Sequence, residues 1–183
     1  MQIIRLMFFV VVLAAVPGLS RADFVIPCER VDTHQSITIR TAQELASRAG
    51  IKRRMTGCRV SRGNWPTLIF ATLPKADGTL DFLFSQELED TVSPQAIRGM
   101  VAHEIGHLLA EDHENPFWRE LTDDQKLDQE ASADAAAVRL VGPEAITHGL
   151  DEYERLFEVM ALRSTAQIKQ EIAVRRGRLH GTS

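Results

Sequence analysis

The stretch from Ser93 to Leu109 constrains the chain more than any other. Ser93 before Pro94 reads as a helix N-cap with proline at the first helical position, and Pro116 bounds the far side. A helix of about five turns follows from those signals. At 100° per residue, Ile97, Val101, Ile105, Leu108 and Leu109 cover one side, while Met100, His103 and His107 share the other. Both sides are therefore expected to be buried. His103, Glu104 and His107 spell H-E-x-x-H, and two histidines four apart lie one turn above each other on one helix face. Two imidazole nitrogens can then converge on one Zn²⁺, with Glu104 in reach of a water beside it. The competing reading is a pair of packed core histidines. Burying them with a glutamate and no partner costs roughly several kcal/mol, which favours a metal.

A second helix carries the other decisive signal. Thr122 to Gln125 is a capping box, and the helix it opens runs to Val141 before Gly142-Pro143 stops it. With Glu130 at zero on the wheel, Leu127, Ala133, Asp134, Ala137, Val138, Leu140 and Val141 fall within about 80° on either side, opposite Asp128, Ser132 and Arg139. Two carboxylates thus stand inside an apolar stripe, where a merely solvated acidic face would not put them. A buried carboxylate requires a cation or a donor. Glu130 suits a third protein ligand, leaving a fourth position for water, and Asp134 one turn on suits the free ring N–H of a ligating histidine. Gly99, Ala102, Gly106 and Ala110 line one flank of the histidine helix, and Ala133, Ala136 and Ala137 flank Glu130, so close approach of the two helices is expected.

His113 is the rival third ligand, six residues after His107 as in H-E-x-x-H-x-x-G-x-x-H. That pattern turns on a glycine, and here the position is Ala110, where a positive φ is costly. No Met-turn follows, because Met160 continues a helical pattern with Tyr153, Leu156 and Phe157. Glu130 is the favoured ligand of the two.

The first 22 residues read as an export signal. Arg5 precedes the apolar run Leu6 to Val16, Pro17 and Gly18 break it, and Ser20-Arg21-Ala22 offers small residues for cleavage after Ala22. Residues 23–183 then form one domain, secreted or periplasmic, with no stable membrane span. Without Arg5 and Arg21 that part carries 19 basic and 25 acidic residues, net −6. Such a balance argues against nucleic acid or an anionic membrane as partner. In an oxidising compartment Cys28 and Cys58 are expected to form one disulfide, contributing roughly 3 to 4 kcal/mol on the chain-entropy model.

Between the cysteines, Ser36 to Arg40 alternates as a short strand, and Thr41 to Glu44 is a capping box opening a short helix that Gly50 ends. The basic cluster Arg48, Lys52, Arg53, Arg54, Arg59 and Arg62 reads as a solvated face, with a docking patch for an acidic partner as the alternative. Thr67 to Leu73 and Leu80 to Ser85 form an antiparallel hairpin turning at Pro74 and Asp77-Gly78, delivered into the histidine helix. An exposed strand edge there offers a place for an extended peptide, a purely structural hairpin being the alternative. Residues 143–183 read as two or three short helices, with Arg175, Arg176 and Arg178 at the end of the last, offsetting its dipole. His148, Tyr153 and Arg155 are the candidates for stabilising an oxyanion, each also readable as structural.

HEIGH followed by Glu130 to Asp134 as E-x-x-A-D resembles the gluzincin zinc metallopeptidases, most closely the HtpX-like family. Phe82 to Ser85, Ser93 and the run into His103 are similar to that family's strand, connector and active-site helix. The likeness spans about Leu80 to Val141. The interval between His107 and Glu130 is short, closer to the compact ImmA-like regulators. The resemblance implies an α+β, zincin-like domain, a short antiparallel sheet packed on an active-site helix and a second ligand-bearing helix. It also implies one zinc held by His103, His107 and Glu130, with Glu104 as general base, Asp134 behind the ligands and a polypeptide substrate. A non-catalytic zinc-binding interaction or chaperone-like module, and a metzincin-like protease using His113, are the alternatives.

Overall fold

Two side-chain caps fix where the site-bearing helices begin. The computed structural model describes residues 28–61, 70–75, 77–110, 121–160 and 165–181. The Ser93 hydroxyl accepts from the backbone N–H of Ala96 at 3.2 Å, and Pro94 opens the helix. At Thr122 the capping box is complete: its hydroxyl accepts from the Gln125 N–H at 3.2 Å, and Gln125 Oε1 accepts from the Thr122 N–H at 2.9 Å. Among the described residues the order is β1 (Glu29–Val31), α1 (Ile37–Arg48), β2 (Met55–Val60), β3 (Phe70–Pro74), β4 (Leu80–Ser85), α2 (Gln86–Thr91), α3 (Pro94–Leu109), α4 (Asp123–Val141), α5 (Pro143–Met160) and α6 (Thr165–Gly181). The architecture is α+β, and none of these helices is long and apolar enough to cross a membrane.

The sheet runs β1-β2-β4-β3 and is mixed, which corrects the expectation of an antiparallel one. The β3–β4 hairpin is antiparallel as expected, but β2 pairs with β4 in parallel, Met55 opposite Leu80 and Val60 opposite Ser85. Two strands that the sequence reading did not assign, β1 and β2, carry the amino-terminal side. The turn closes at Gly78, whose φ of 80° is the left-handed value an Asp-Gly turn demands. Pro74 ends β3 on the sheet edge, where a missing N–H breaks no ladder on a second side.

Strand periodicity sorts β4 between two cores. Leu80, Phe82 and Phe84 enter the main cluster with Ile39, Leu45, Ile97, Val101 and Ile105, while Leu83 joins Cys58, Val60 and Ala71 on the opposite face. Asp81, also on that face, is buried but ion-paired with Arg30 and Lys75 and hydrogen-bonded by Thr56. A disulfide joins Cys28 to Cys58, with Cα atoms 5.4 Å apart.

Ser36 to Arg40 is not a strand. The Ser36 hydroxyl accepts from the Ile39 N–H at 3.1 Å and caps α1, whose Ile39, Ala42, Leu45 and Ala46 fall at helical spacing on the core. A five-residue alternation fits a helix start as well as a strand, and the longer apolar stripe decides. The carboxyl-terminal part likewise forms two long helices, α5 and α6, where shorter ones were expected.

α3 is the central helix, packed against α1, β3, α4 and α5, and most of it is buried. Its small residues serve two neighbours. A Cβ on Gly106 would collide with the Ala133 carbonyl of α4, and one on Gly99 with the Ala145 carbonyl of α5. The expected close approach of α3 and α4 is therefore made at Gly106, whereas Gly99 admits α5. Ala110 is the exposed C-cap of α3.

Candidate metal centre

α3 presents His103 and His107 one turn apart, and the Gly106–Ala133 contact draws α4 close enough for Glu130 to meet them. One donor atom from each of His103, His107 and Glu130 lies within 4.8 Å of the others, so the group can hold a metal ion. The two Nε2 atoms are 3.1 Å apart, with the rings edge-on at 80°. Glu130 Oε2 is 3.1 Å from His103 Nε2, and Oε1 is 3.5 Å from His107 Nε2. Asp134, one turn further along α4, accepts from His103 Nδ1 at 2.8 Å.

An ionised Asp134 can only accept, so this contact favours a proton on His103 Nδ1, although Arg175 Nη2 also lies 3.1 Å from that nitrogen. With the proton on Nδ1 donated to Asp134, Nε2 keeps its lone pair and directs it at a carboxylate oxygen and a second imidazole. Lone pairs facing at such separations repel unless a proton or a cation lies among them. Burial and the Arg175 charge disfavour an imidazolium at His103, Asp134 favours it, and the net direction is upward. Burial would raise the Glu130 carboxyl, but the two histidines hold it well below the usual range. Glu104 is buried on α3, and its Oε2 accepts from the Thr72 hydroxyl of β3 at 3.0 Å. The edge strand thereby touches the residue beside the first histidine.

The sequence reading missed one residue of the centre. Arg175 was read as terminal charge, yet it sits inside α6, only 4% exposed, with its guanidinium against α4. Nε and Nη2 donate to Asp134 at 2.7 and 2.8 Å, Nη1 pairs with Glu130 Oε2 at 3.2 Å, and Glu171 lies 3.7 Å away. Burial would raise the Asp134 carboxyl, but Arg175 and His103 push it well below the ordinary carboxylate range. The signal was present in the spacing: Ile168, Ile172, Arg175 and Leu179 share one helix face, three of them buried and Leu179 packed on the core. The wheel test that singles out Glu130 also singles out Arg175.

Other expected positions lie elsewhere. His148 is 3.9 Å from Glu144, Arg155 binds Glu152 and reaches the Thr91 carbonyl, and the Tyr153 ring packs tilted against Phe157 with centroids 4.5 Å apart. In the basic cluster, Arg59 is absorbed by Glu29 and Glu89, while Lys52, Arg53 and Arg54 line an open surface cavity. Arg176 and Arg178 pair with Asp151 and Asp128. His113, Arg62, the start of the first expected strand and the signal segment fall outside the described residues. Compared with known proteins, the chain matches no family model, no curated protein and no solved structure.

Proposed function

We propose that this chain is an exported zinc metallopeptidase. The observation that carries the reading is the set of donor separations around His103, His107 and Glu130, at 3.1, 3.1 and 3.5 Å. Tetrahedral zinc with bonds of about 2.0–2.1 Å spaces its ligands by roughly 3.3 Å. Charge supports a dication. Glu130, Asp134 and Glu171 meet one guanidinium, an excess of two negative charges in a nearly dry pocket. Three protein ligands would leave a fourth position for water, as in catalytic rather than structural zinc sites.

Zinc held there would supply Lewis acidity, activating water and polarising a carbonyl oxygen. The chain's own residues do the rest. Glu104, held by Thr72, accepts the proton of the attacking water and hands it to the leaving amine. Asp134 fixes the ring of His103, and the edge of β3 beside Glu104 offers backbone pairing to an extended polypeptide. The Cys28–Cys58 disulfide fits an oxidising compartment.

A non-catalytic zinc-binding module is the second reading. It is favoured by one observation: the three oxyanion candidates are occupied in other contacts. Elemental analysis and casein or peptide-library cleavage separate the readings. The peptidase reading expects one zinc per chain, kept in His113→Ala and lost or sharply weakened in Glu130→Ala, with cleavage abolished in Glu104→Gln while zinc is retained. The reverse pattern for Glu130 and His113 would indicate the metzincin-like ligand set. Zinc without cleavage would leave the binding module.

A further inference from the structure

Among the described residues Arg175 is the one buried arginine, and a buried ion pair is weak evidence for stability alone. Apolar residues of similar volume serve a core as well or better, so a retained buried guanidinium calls for a second role. The role is visible in how its nitrogens are used. Two of them fork onto both oxygens of Asp134 at 2.7 and 2.8 Å, and the third faces Glu130 Oε2 at 3.2 Å. Asp134 Oδ1 accepts simultaneously from Arg175 and from His103 Nδ1.

We infer that Arg175 is a positioning residue of the metal centre, clamping Asp134 and Glu130 so that His103 and Glu130 present fixed donor atoms, and that α6 is thereby part of the site. The inference rests on the zinc reading above. Three consequences follow from the fork. Asp134, with both oxygens engaged, is kept as the acceptor for His103 and withheld from the metal position. His103 is confined to the tautomer whose Nε2 is a donor atom, because its Nδ1 proton has a fixed acceptor. The Glu130 carboxylate is anchored through Oε2, leaving Oε1 on the His107 side. Lysine cannot reproduce this, since an ammonium is a point charge and reaches one oxygen where guanidinium reaches several.

The test uses the full chain and two readouts independent of turnover. Zinc affinity is measured by competition with a chromogenic chelator, and ligand geometry by the visible absorption of the Co²⁺-substituted protein. Arg175→Met and Arg175→Lys are compared with wild type and with Arg178→Met, a control on the same helix whose partner is the exposed Asp128. Wild type and Arg178→Met are expected to bind alike, and both Arg175 variants to bind zinc about 10- to 100-fold more weakly with shifted Co²⁺ bands. Arg175→Lys, which keeps charge and stem, is the deciding variant if Arg175→Met does not fold. Wild-type affinity and an unchanged Co²⁺ spectrum in folded Arg175→Lys would overturn the inference and leave a structural ion pair. Absence of metal uptake by wild type would instead remove the zinc reading and this inference with it.

Discussion

Two glutamates at the candidate centre stand in different surroundings at the scale of single residues, and the proposed reading gives them different work. Glu130 faces two imidazole nitrogens and a guanidinium, which suits a ligand; Glu104 faces a hydroxyl, which leaves it free to exchange a proton. Thr72 is 3% exposed, and its hydroxyl has Glu104 Oε2 as acceptor. Thr72→Val keeps the shape of the side chain and removes the donor. On the proposed peptidase reading, the expected result is unchanged zinc content with cleavage reduced roughly 10-fold and an altered pH–rate profile, since Glu104 would lose the bond that orients it. Equal rates and profiles in Thr72→Val and wild type would show that the bond does not orient the base. Glu130 and Asp134 were legible in the sequence because polar groups inside an apolar stripe stand out. Arg175 was equally legible by that criterion but was read as charge at a helix end, and the end lies further on at Gly181.

At the scale of elements, the site depends on how closely α3 and α4 approach. Gly106 lies between the two histidine turns and directly against the Ala133 backbone, so an added methyl group has no room and the neighbour is a carbonyl rather than a yielding side chain. Gly106→Ala is expected to destabilise the fold by about 1–3 kcal/mol, as overpacking generally does, and to weaken zinc binding by separating Glu130 from the histidines. Urea unfolding and chelator competition measure the two effects, and a variant matching wild type in both would refute the packing account. Helix starts were readable because caps are local: Ser93 and Thr122 act within three residues. The parallel pairing of β2 with β4 was not, because β3 intervenes between them in the chain and no local pattern records which strand lies beside which. The start of α1 failed for a different reason, since five residues fit two periodicities.

For the molecule as a whole, charge pairing away from the candidate metal centre adds to the response to acid. Burial would raise the carboxyls of Asp81 and Glu89. Arg30, Lys75 and Thr56 lower the first, and Ser36, Thr38 and Arg59 lower the second, each with a net downward shift. The unfolded chain therefore takes up these protons at higher pH than the folded one. Their contribution to stability is present above about pH 4, the unfolded value, and is lost as pH falls below it toward the folded values. The urea midpoint should be lower at pH 3 than at pH 5, with a smaller drop in Asp81→Asn. A midpoint unaffected by acid would contradict this.

The position of Arg175 also has a meaning in time. His103, Glu104 and His107 leave the ribosome early, Glu130 and Asp134 next, and the guanidinium that clamps those carboxylates leaves 72 residues after the first histidine. A growing chain therefore holds its donors before it holds the means of orienting them. A chain cut short before α6 would therefore carry the donor residues without the guanidinium that pairs with Asp134 and Glu130.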